Sequence, residues 1–354
     1  MTITTQGLMD QLTELRRLVD AHFLVQEAYL DGALPSFAVH PAADLRERFL
    51  RLRAQVEPLG LLPILRRREG RAVVAFVVRP PRSAWRWPVN LGLFAATLIT
   101  TFVAGYTNTL GLVEGGYLKS AIGGGVAFSL SLMVILATHE MGHKVLSILR
   151  GVDASLPYFI PMAPPLGTMG AVIITRTPSP NRDALMDVAA AGPLAGFLVA
   201  IPILILGVSR SFVISPAGFE GVNLPDPLIL QWLMRYILHP AEGMVVLGHP
   251  ILFAGWIGLL VTSLNLLPAG MLDGGHVVRA LFGPRLHMIL SVGAVVAAVL
   301  LGYWLMALVI ILLLRRGHPG PLDDVSPVSP SRIVLGVALL AVFIVSVVPM
   351  GRPF

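Results

Sequence analysis

The sequence predicts an all-α polytopic membrane protein of about six to eight spans, with a re-entrant β-hairpin and a small N-terminal α+β cytoplasmic domain. Composition is the first reason: 55% of the 354 residues are hydrophobic and 13% are charged. The mean hydropathy of +0.78 is too apolar for a soluble chain of this length. The second reason is a series of apolar runs, each long enough for a helix and edged by arginine. The third is an equally apolar stretch, residues 155–177, that prolines and glycines keep from being a helix. On this reading residues 1–84 form a cytoplasmic module and residues 85–354 a membrane domain.

The formal charge of +6 is almost all arginine, with lysine at positions 119 and 144 alone. Because the arginines cluster at the edges of apolar runs, they point to a lipid bilayer as partner and not to nucleic acid. Without cysteine there is no disulfide frame and no thiolate site, so any zinc must be held by His and carboxylate. The first thirty residues carry charges throughout, and no cleavable signal peptide is expected. The expected setting is the cell (inner) membrane, with the N-terminal domain cytoplasmic.

In the N-terminal part, residues 12–28 have helical periodicity, residues 36–40 read as a short strand, and residues 41–56 as a charged helix. Residues 62–67 and 72–78 read as a hairpin closed around Glu69-Gly70. Nothing here looks catalytic; a packed regulatory or docking module is expected. Residues 79–88 are a stiff basic linker with Trp85 and Trp87 as interfacial anchors.

The first span covers residues 89–106. A polar loop with Glu114 and Lys119 leads to the second span, 121–149, which Arg150 closes. Basic residues at the start of one and the end of the other put both ends on the cytoplasmic side. The third span, 187–208, carries Gly192 and Gly196 at small-x-x-x-small spacing, a helix-packing face. An external loop, 209–247, with an amphipathic stretch at 232–238, precedes the fourth span at 250–267. Residues 288–314 are apolar and flanked by Arg279, Arg285, Arg315 and Arg316. A hairpin of two short helices turning near Gly302 keeps all four arginines inside, whereas a single helix puts one cluster outside, so the hairpin is expected. A last span covers residues 333–349.

Between spans two and three, residues 155–177 include Pro157, Pro161, Pro164, Pro165, Gly167 and Gly170. The short apolar stretches 156–160 and 170–175 suit a hairpin about Pro164-Pro165. Non-helical backbone at membrane depth persists only where protein or a wet cavity satisfies it. The hairpin is either purely structural or an edge strand on which an extended substrate can pair.

The motif that carries chemistry is His139-Glu140-Met141-Gly142-His143, after a run at 120–138 without a charged residue. On a helix, the histidines at i and i+4 share one face at the spacing of two zinc ligands, and the glutamate is placed to activate water. Ionisable groups inside a span are costly and so are functional candidates. Glu140 lies ten residues before Arg150, roughly 15 Å at about 1.5 Å per residue. That depth is one-third to one-half of the way in from the cytoplasmic face.

A catalytic zinc takes three protein ligands and keeps one position open. The best third candidate is Asp273, in Asn265-Leu-Leu-Pro-Ala-Gly-Met-Leu-Asp273-Gly-Gly-His276, where Pro268, Gly270, Gly274 and Gly275 break the helix. A carboxylate at such a break is costly unless paired or metal-bound. His276 could face the same cavity but reads as a neighbouring or interfacial group. His249 falls on the opposite side, and Glu220 and Glu242 lie in the external loop. Asn265, taken as two helical turns before Asp273, either hydrogen-bonds a substrate carbonyl or an oxyanion or links two helices.

With N-x-x-P and L-D-G on a later span, the chain resembles the site-2 proteases, intramembrane zinc metalloproteases. The likeness rests on His139, Glu140, His143, Asn265, Pro268, Leu272, Asp273 and Gly274, and extends over about residues 85–350. The stretches 156–161, 167–170, 187–196 and 321–327 look closest to a subgroup that includes the plastid ethylene-dependent gravitropism-deficient and yellow-green proteins. The resemblance implies Zn2+ held by His139, His143 and Asp273, Glu140 as general base and acid, and Asn265 as a substrate-orienting group. It also implies single-span membrane proteins as substrates. A PDZ module, common in bacterial members, is not evident.

Three alternatives stand beside it. Another multi-span H-E-x-x-H peptidase class takes a downstream glutamate as third ligand, which the later spans do not offer. A metal-ion transporter would tolerate Glu140→Gln. An inactive scaffold would not need every residue of the chemistry, and all of them are present. The oligomeric state is left open.

Overall fold

The computed structural model describes residues 5–31, 34–80, 86–216, 225–315 and 317–347. Trp85, Glu220, Arg316, Pro349 and the expected boundary at residues 84 and 85 lie outside the described residues.

Helix α1 (Thr5–Asp20) ends in a turn where the Phe23 N–H donates to the Val19 carbonyl, and the chain continues as strand β1 (Val25–Asp31). The helix expected over residues 12–28 therefore stops early. β1 is an edge strand with mostly exposed side chains, held by backbone pairing to β2 (Leu34–Val39), so it carries no apolar period of its own. Helix α2 (Leu45–Val56) and strands β3 (Leu61–Arg68) and β4 (Arg71–Val78) complete an antiparallel sheet ordered β1-β2-β4-β3. The β3–β4 hairpin closes where expected. Arg68 faces Arg71, and Glu69 and Gly70 both have positive φ (49° and 81°), as a two-residue hairpin turn requires.

Val19, Phe37, Phe49, Leu52, Val56, Leu62, Leu65 and Val74 are fully buried between this sheet and its helices. Leu322, from far along the chain, is buried in the same cluster. It arrives there because the outer edge of β3 is covered: the Leu65 N–H donates to the Leu322 carbonyl (2.8 Å) and the Asp324 N–H to the Leu65 carbonyl (3.2 Å). Pairing hides an otherwise open edge.

Among the described residues three helices are long and apolar enough to cross a membrane: α3 (Trp87–Glu114), α4 (Ala121–Leu149) and α5 (Arg182–Ser209). At about 1.5 Å per residue each reaches roughly 42 Å, beyond a hydrocarbon core of about 30 Å. Ile99, Ile122, Leu130 and Leu198 stand exposed on them, as lipid-facing residues would. α3 runs on to Glu114, which is helical and not in a loop; α5 starts at Arg182, where the Asn181 side chain accepts from the Ala184 N–H (2.8 Å). α4 and α5 touch along Gly142, where an added Cβ would meet the Ala191 carbonyl oxygen at 2.5 Å.

Between α4 and α5 lies the hairpin of β5 (Tyr158–Pro161) and β6 (Thr168–Val172), antiparallel, with Phe159 opposite Ala171. It is tied along α3: Asn90 donates to the Leu156 and Pro157 carbonyls, Thr100 to Gly167, and Asn108 to Pro165. From Asn90 to Asn108 is about 27 Å of helix. Polar side chains of one long apolar helix thus satisfy irregular backbone that hydrocarbon could not.

After α5 come β7 (Phe212–Ile214), amphipathic α6 (Leu228–Ile237) and β8 (Val245–Leu247), then α7 (Pro250–Asn265), α8 (Asp273–Phe282), α9 (Pro284–Leu300), α10 (Trp304–Leu314) and α11 (Pro330–Ser346). The β7–β8 pair was not expected; three residues each are too few for a readable pattern. α9 and α10 form the expected helical hairpin, turning at Gly302 with φ 81°. α7 ends at Asn265, so the fourth helix is shorter than the run at 250–267 suggested.

Candidate metal centre

α4 presents His139 and His143 one turn apart, and both rings turn toward the start of α8. His139 Nε2 and His143 Nε2 are 3.2 Å apart. Asp273 Oδ2 is 3.4 Å from the first and 3.3 Å from the second. Two ligands at the zinc–nitrogen distance of about 2.0–2.1 Å span a tetrahedral edge of about 3.3–3.4 Å. The three atoms therefore form one face of such a tetrahedron, and the residues fit a metal ion with a fourth position open. Among the described residues it is the one grouping of three such ligands.

The protonation of His143 is set from outside: its Nδ1–H donates to the Val188 carbonyl on α5 at 2.7 Å, which leaves Nε2 with a lone pair for a metal. α5 comes this close because Gly192 faces the ring. A Cβ there would lie 2.0 Å from His143 Nε2, and one at Gly196 would lie 3.1 Å from His139 Cβ. The small-residue spacing is a helix contact, as expected, and the contact is with the candidate ligands.

Asp273 is presented by a broken helix. After α7 the Ala269 N–H donates to Leu267 (2.7 Å), Gly270 takes φ 56°, and α9 clamps the turn. The Gly270 N–H donates to Ser291 Oγ (3.0 Å) and the His287 Nε2–H to the Gly270 carbonyl (2.8 Å). α8 then packs onto this turn so closely that a Cβ on Gly274 would meet the Leu266 oxygen at 2.1 Å. Asn265 sits beside the trio, Nδ2 3.3 Å from His139 Nε2, although not by the expected route. No single helix joins it to Asp273, and the turn brings the two together.

Glu140 is 6% exposed, has no ion pair among the described residues, and lines a cavity of about 560 Å³ with His139, His143, Asp273 and Asn265. Residues 171–173 and 175–179 form another wall of that cavity. Ile174 and Arg176 direct their backbone to residues 153–155: Ile174 exchanges hydrogen bonds with Ser155, and the Arg176 N–H donates to the Asp153 carbonyl. Since successive residues of an extended strand point their N–H and C=O to opposite edges, Ile173 and Thr175 direct theirs to the other edge, and both residues line the cavity. His249 caps α7 by accepting from the Ile251 N–H, away from the centre. His318, which sequence reasoning missed, lines the cavity from the segment after α10; no motif or periodicity marked it.

A mostly helical chain with membrane-length helices and a largely buried His-His-Asp trio beside a glutamate has the make-up of a membrane metallopeptidase. Peptidase family M50 matches residues 127–309, half of the chain, and the chain belongs to that family, the site-2 proteases. It is 31% identical over 246 residues to "Probable zinc metalloprotease EGY2, chloroplastic" of Oryza sativa subsp. indica, covering 65% of this chain and 44% of that protein. To the Arabidopsis thaliana protein "Probable zinc metalloprotease EGY1, chloroplastic" it is 27% identical over 227 residues, 57% of this chain and 41% of the other. To "Probable zinc metallopeptidase EGY3, chloroplastic" of the same plant it is 27% identical over 276 residues, 69% and 46%. The chain spans less than half the length of these relatives. No solved structure matches it.

Proposed function

We propose that the chain is an intramembrane zinc metalloendopeptidase that cleaves single-span membrane proteins near the cytoplasmic side. The observation that carries this is the triangle of His139 Nε2, His143 Nε2 and Asp273 Oδ2 with Glu140 in the same cavity wall. His139, His143 and Asp273 hold Zn2+, which when bound supplies Lewis-acid polarisation of a peptide carbonyl and acidifies water. Glu140 takes the proton of the attacking water and returns it to the leaving amine. Asn265 orients the substrate carbonyl. A helix hides its peptide bonds in its own hydrogen bonds, so the substrate must unwind, and the edge at Ile173 and Thr175 pairs with the unwound segment.

Residues 1–84 serve as a cytoplasmic module and residues 85–354 as the protease domain, with six to eight spans that include α3, α4, α5, α7, α11 and the α9–α10 hairpin. The contacts of the N-terminal part support this topology. Arg53 donates to the Gly151 carbonyl after α4 (2.7 Å), Arg46 to Asp183 at the start of α5 (2.6 Å) and to Ser329 before α11 (2.7 Å), and Arg66 to Leu322 after α10 (2.8 Å). The end of α4, the segment after α10 and the starts of α5 and α11 thus all meet one module. The relatives' names speak of chloroplasts; for this chain the reading is a cell (inner) membrane.

The test is proteomics of cells carrying wild type or Glu140→Gln, with the purified variant's zinc content measured. Glu140→Gln is expected to keep its zinc, to lose about 10²–10⁴-fold in cleavage rate, and to let single-span proteins accumulate as membrane stubs. Full cleavage by the variant, or metal flux through it, would overturn the reading.

A further inference from the structure

From the hydrogen-bond order around His276 we infer that this residue is a further catalytic group, a neutral Nε2–H donor to the scissile carbonyl oxygen. The inference rests on the metallopeptidase reading of the same cavity.

The argument begins outside the site, at Gly320. Its backbone N–H is a donor that cannot do anything else, and it points at His318 Nδ1, 2.9 Å away. Nδ1 of His318 must accept, so the proton of that neutral ring is on Nε2. His318 Nε2 lies 2.7 Å from His276 Nδ1. Having the proton, His318 donates, and His276 Nδ1 accepts in turn. The remaining proton of His276 is thereby placed on Nε2. One backbone amide fixes the tautomers of two imidazoles in series.

Among the described residues His276 Nε2–H has no protein partner: the ring's one hydrogen bond there is to His318, and Nε2 is not among the buried polar atoms left unpaired. An unpaired donor that is not sealed off faces open space, and the space that His276 borders is the cavity shared with Glu140 and Asp273. His276 is also one turn along α8 from Asp273, so both side chains lie on one helix face. The ring is held from its far side by the His318 edge, ring centres 4.7 Å apart, and His318 is backed by His287 at 5.2 Å.

A donor fixed in place, one turn from a metal-ligand candidate, suits an oxygen that gains negative charge during reaction. Asn265 lies against His139 on one side of the trio, and His276 approaches along α8. His318 is a positioning residue: it does not touch the substrate but dictates which nitrogen of His276 carries the proton.

The test uses the full chain in detergent, loaded with zinc, with fluorescein-labelled casein as probe. His276→Ala is expected to lower kcat about 10²–10³-fold with little change in KM and with wild-type zinc content. His318→Ala, which frees His276 to take either tautomer, is expected to lower kcat less, and the double variant to be no worse than His276→Ala alone. Nitrogen-15 spectra of the histidines supply a readout apart from activity: His276 should have an unprotonated Nδ1 in the wild type and lose that preference in His318→Ala. Wild-type kcat in His276→Ala, a loss explained by missing zinc, or additive effects in the double variant would each overturn the inference while leaving the peptidase reading intact. A zinc-loaded wild type with no cleavage at all would overturn that reading, and this inference with it.

Discussion

Gly192→Ala separates the fold from the metal centre. An alanine Cβ at position 192 would lie 2.0 Å from His143 Nε2, 2.4 Å from Cδ2 and 2.6 Å from Cε1. Ordinary contact begins near 3.4 Å, so something must yield by at least about 1.4 Å. α5 is the harder part to move: Asp187 is paired with Arg332 (2.7 Å) and Arg150, and Arg182 donates to the Ala280 carbonyl (2.7 Å). The imidazole is the softer partner, because it can turn about its own bonds at modest cost to the fold. Turning it carries Nε2 away from His139 and Asp273, well beyond the roughly 0.2 Å that a metal-ligand distance tolerates. Loss of an outer hydrogen bond to a ligand weakens metal binding about 10–100-fold, and displacing the ligand itself should reach at least the upper end. A hundredfold loss is about 2.7 kcal/mol. The assay is zinc titration of purified protein against a competing chelator, with thermal unfolding of the metal-free form to check the fold. Gly196→Ala is the comparison: its Cβ would lie 3.1 Å from His139 Cβ and Nδ1, so the expected loss is about tenfold or less. Wild-type zinc affinity in Gly192→Ala would refute the reasoning.

Ile173→Pro removes an N–H of the other edge while sparing the bonds of Ile174 and Arg176 to residues 153–155. If substrate pairs with that edge, KM for casein should rise about 3–10-fold, the worth of one backbone hydrogen bond, with zinc content unchanged; an unaltered KM would mean that the edge is not used. Arg279 makes a bidentate pair with Asp324, at 2.9 and 2.6 Å, that fastens the segment after α10 to α8. Arg279→Met leaves the largely buried Asp324 without its bidentate partner, with only the charges of Arg66 and Arg182 nearby, and should cost up to about 3–5 kcal/mol, most of it recovered in Arg279→Met/Asp324→Leu. Equal melting temperatures for the single variant and the wild type would show the pair to be dispensable.

Much of the architecture was legible because the bilayer makes harsh demands on a sequence. α4 was expected at residues 121–149 and lies there, since a long apolar run bounded by Ser120 and Arg150 has few alternatives. The α9–α10 turn at Gly302 followed from where arginines are stable. The hairpin at residues 155–177 followed from prolines that no helix accepts. The failures are of another kind. β1 and the β7–β8 pair are held by backbone pairing with partners that no local pattern reveals. Asn265 lies beside His139, but not through one helix shared with Asp273, because a helix extrapolated past Pro268 ignores the clamp that His287 and Ser291 put on Gly270.

The sequence by itself determined the chemical inventory: two histidines at helical spacing with a glutamate between them, and an aspartate at a helix break, all in stretches where unpaired charge is costly. Local spacing and solvent cost are properties of short segments, so they can be read from the chain. Only the tertiary structure decided that the three candidate ligand atoms lie 3.2–3.4 Å apart, because that distance depends on glycines of α5 and α8 that let separate helices approach. The same holds for His318, which lies 42 positions from His276 in the chain and 2.7 Å from it in space. A hydrogen bond between them needs folding to close the loop, and nothing in either neighbourhood announces it.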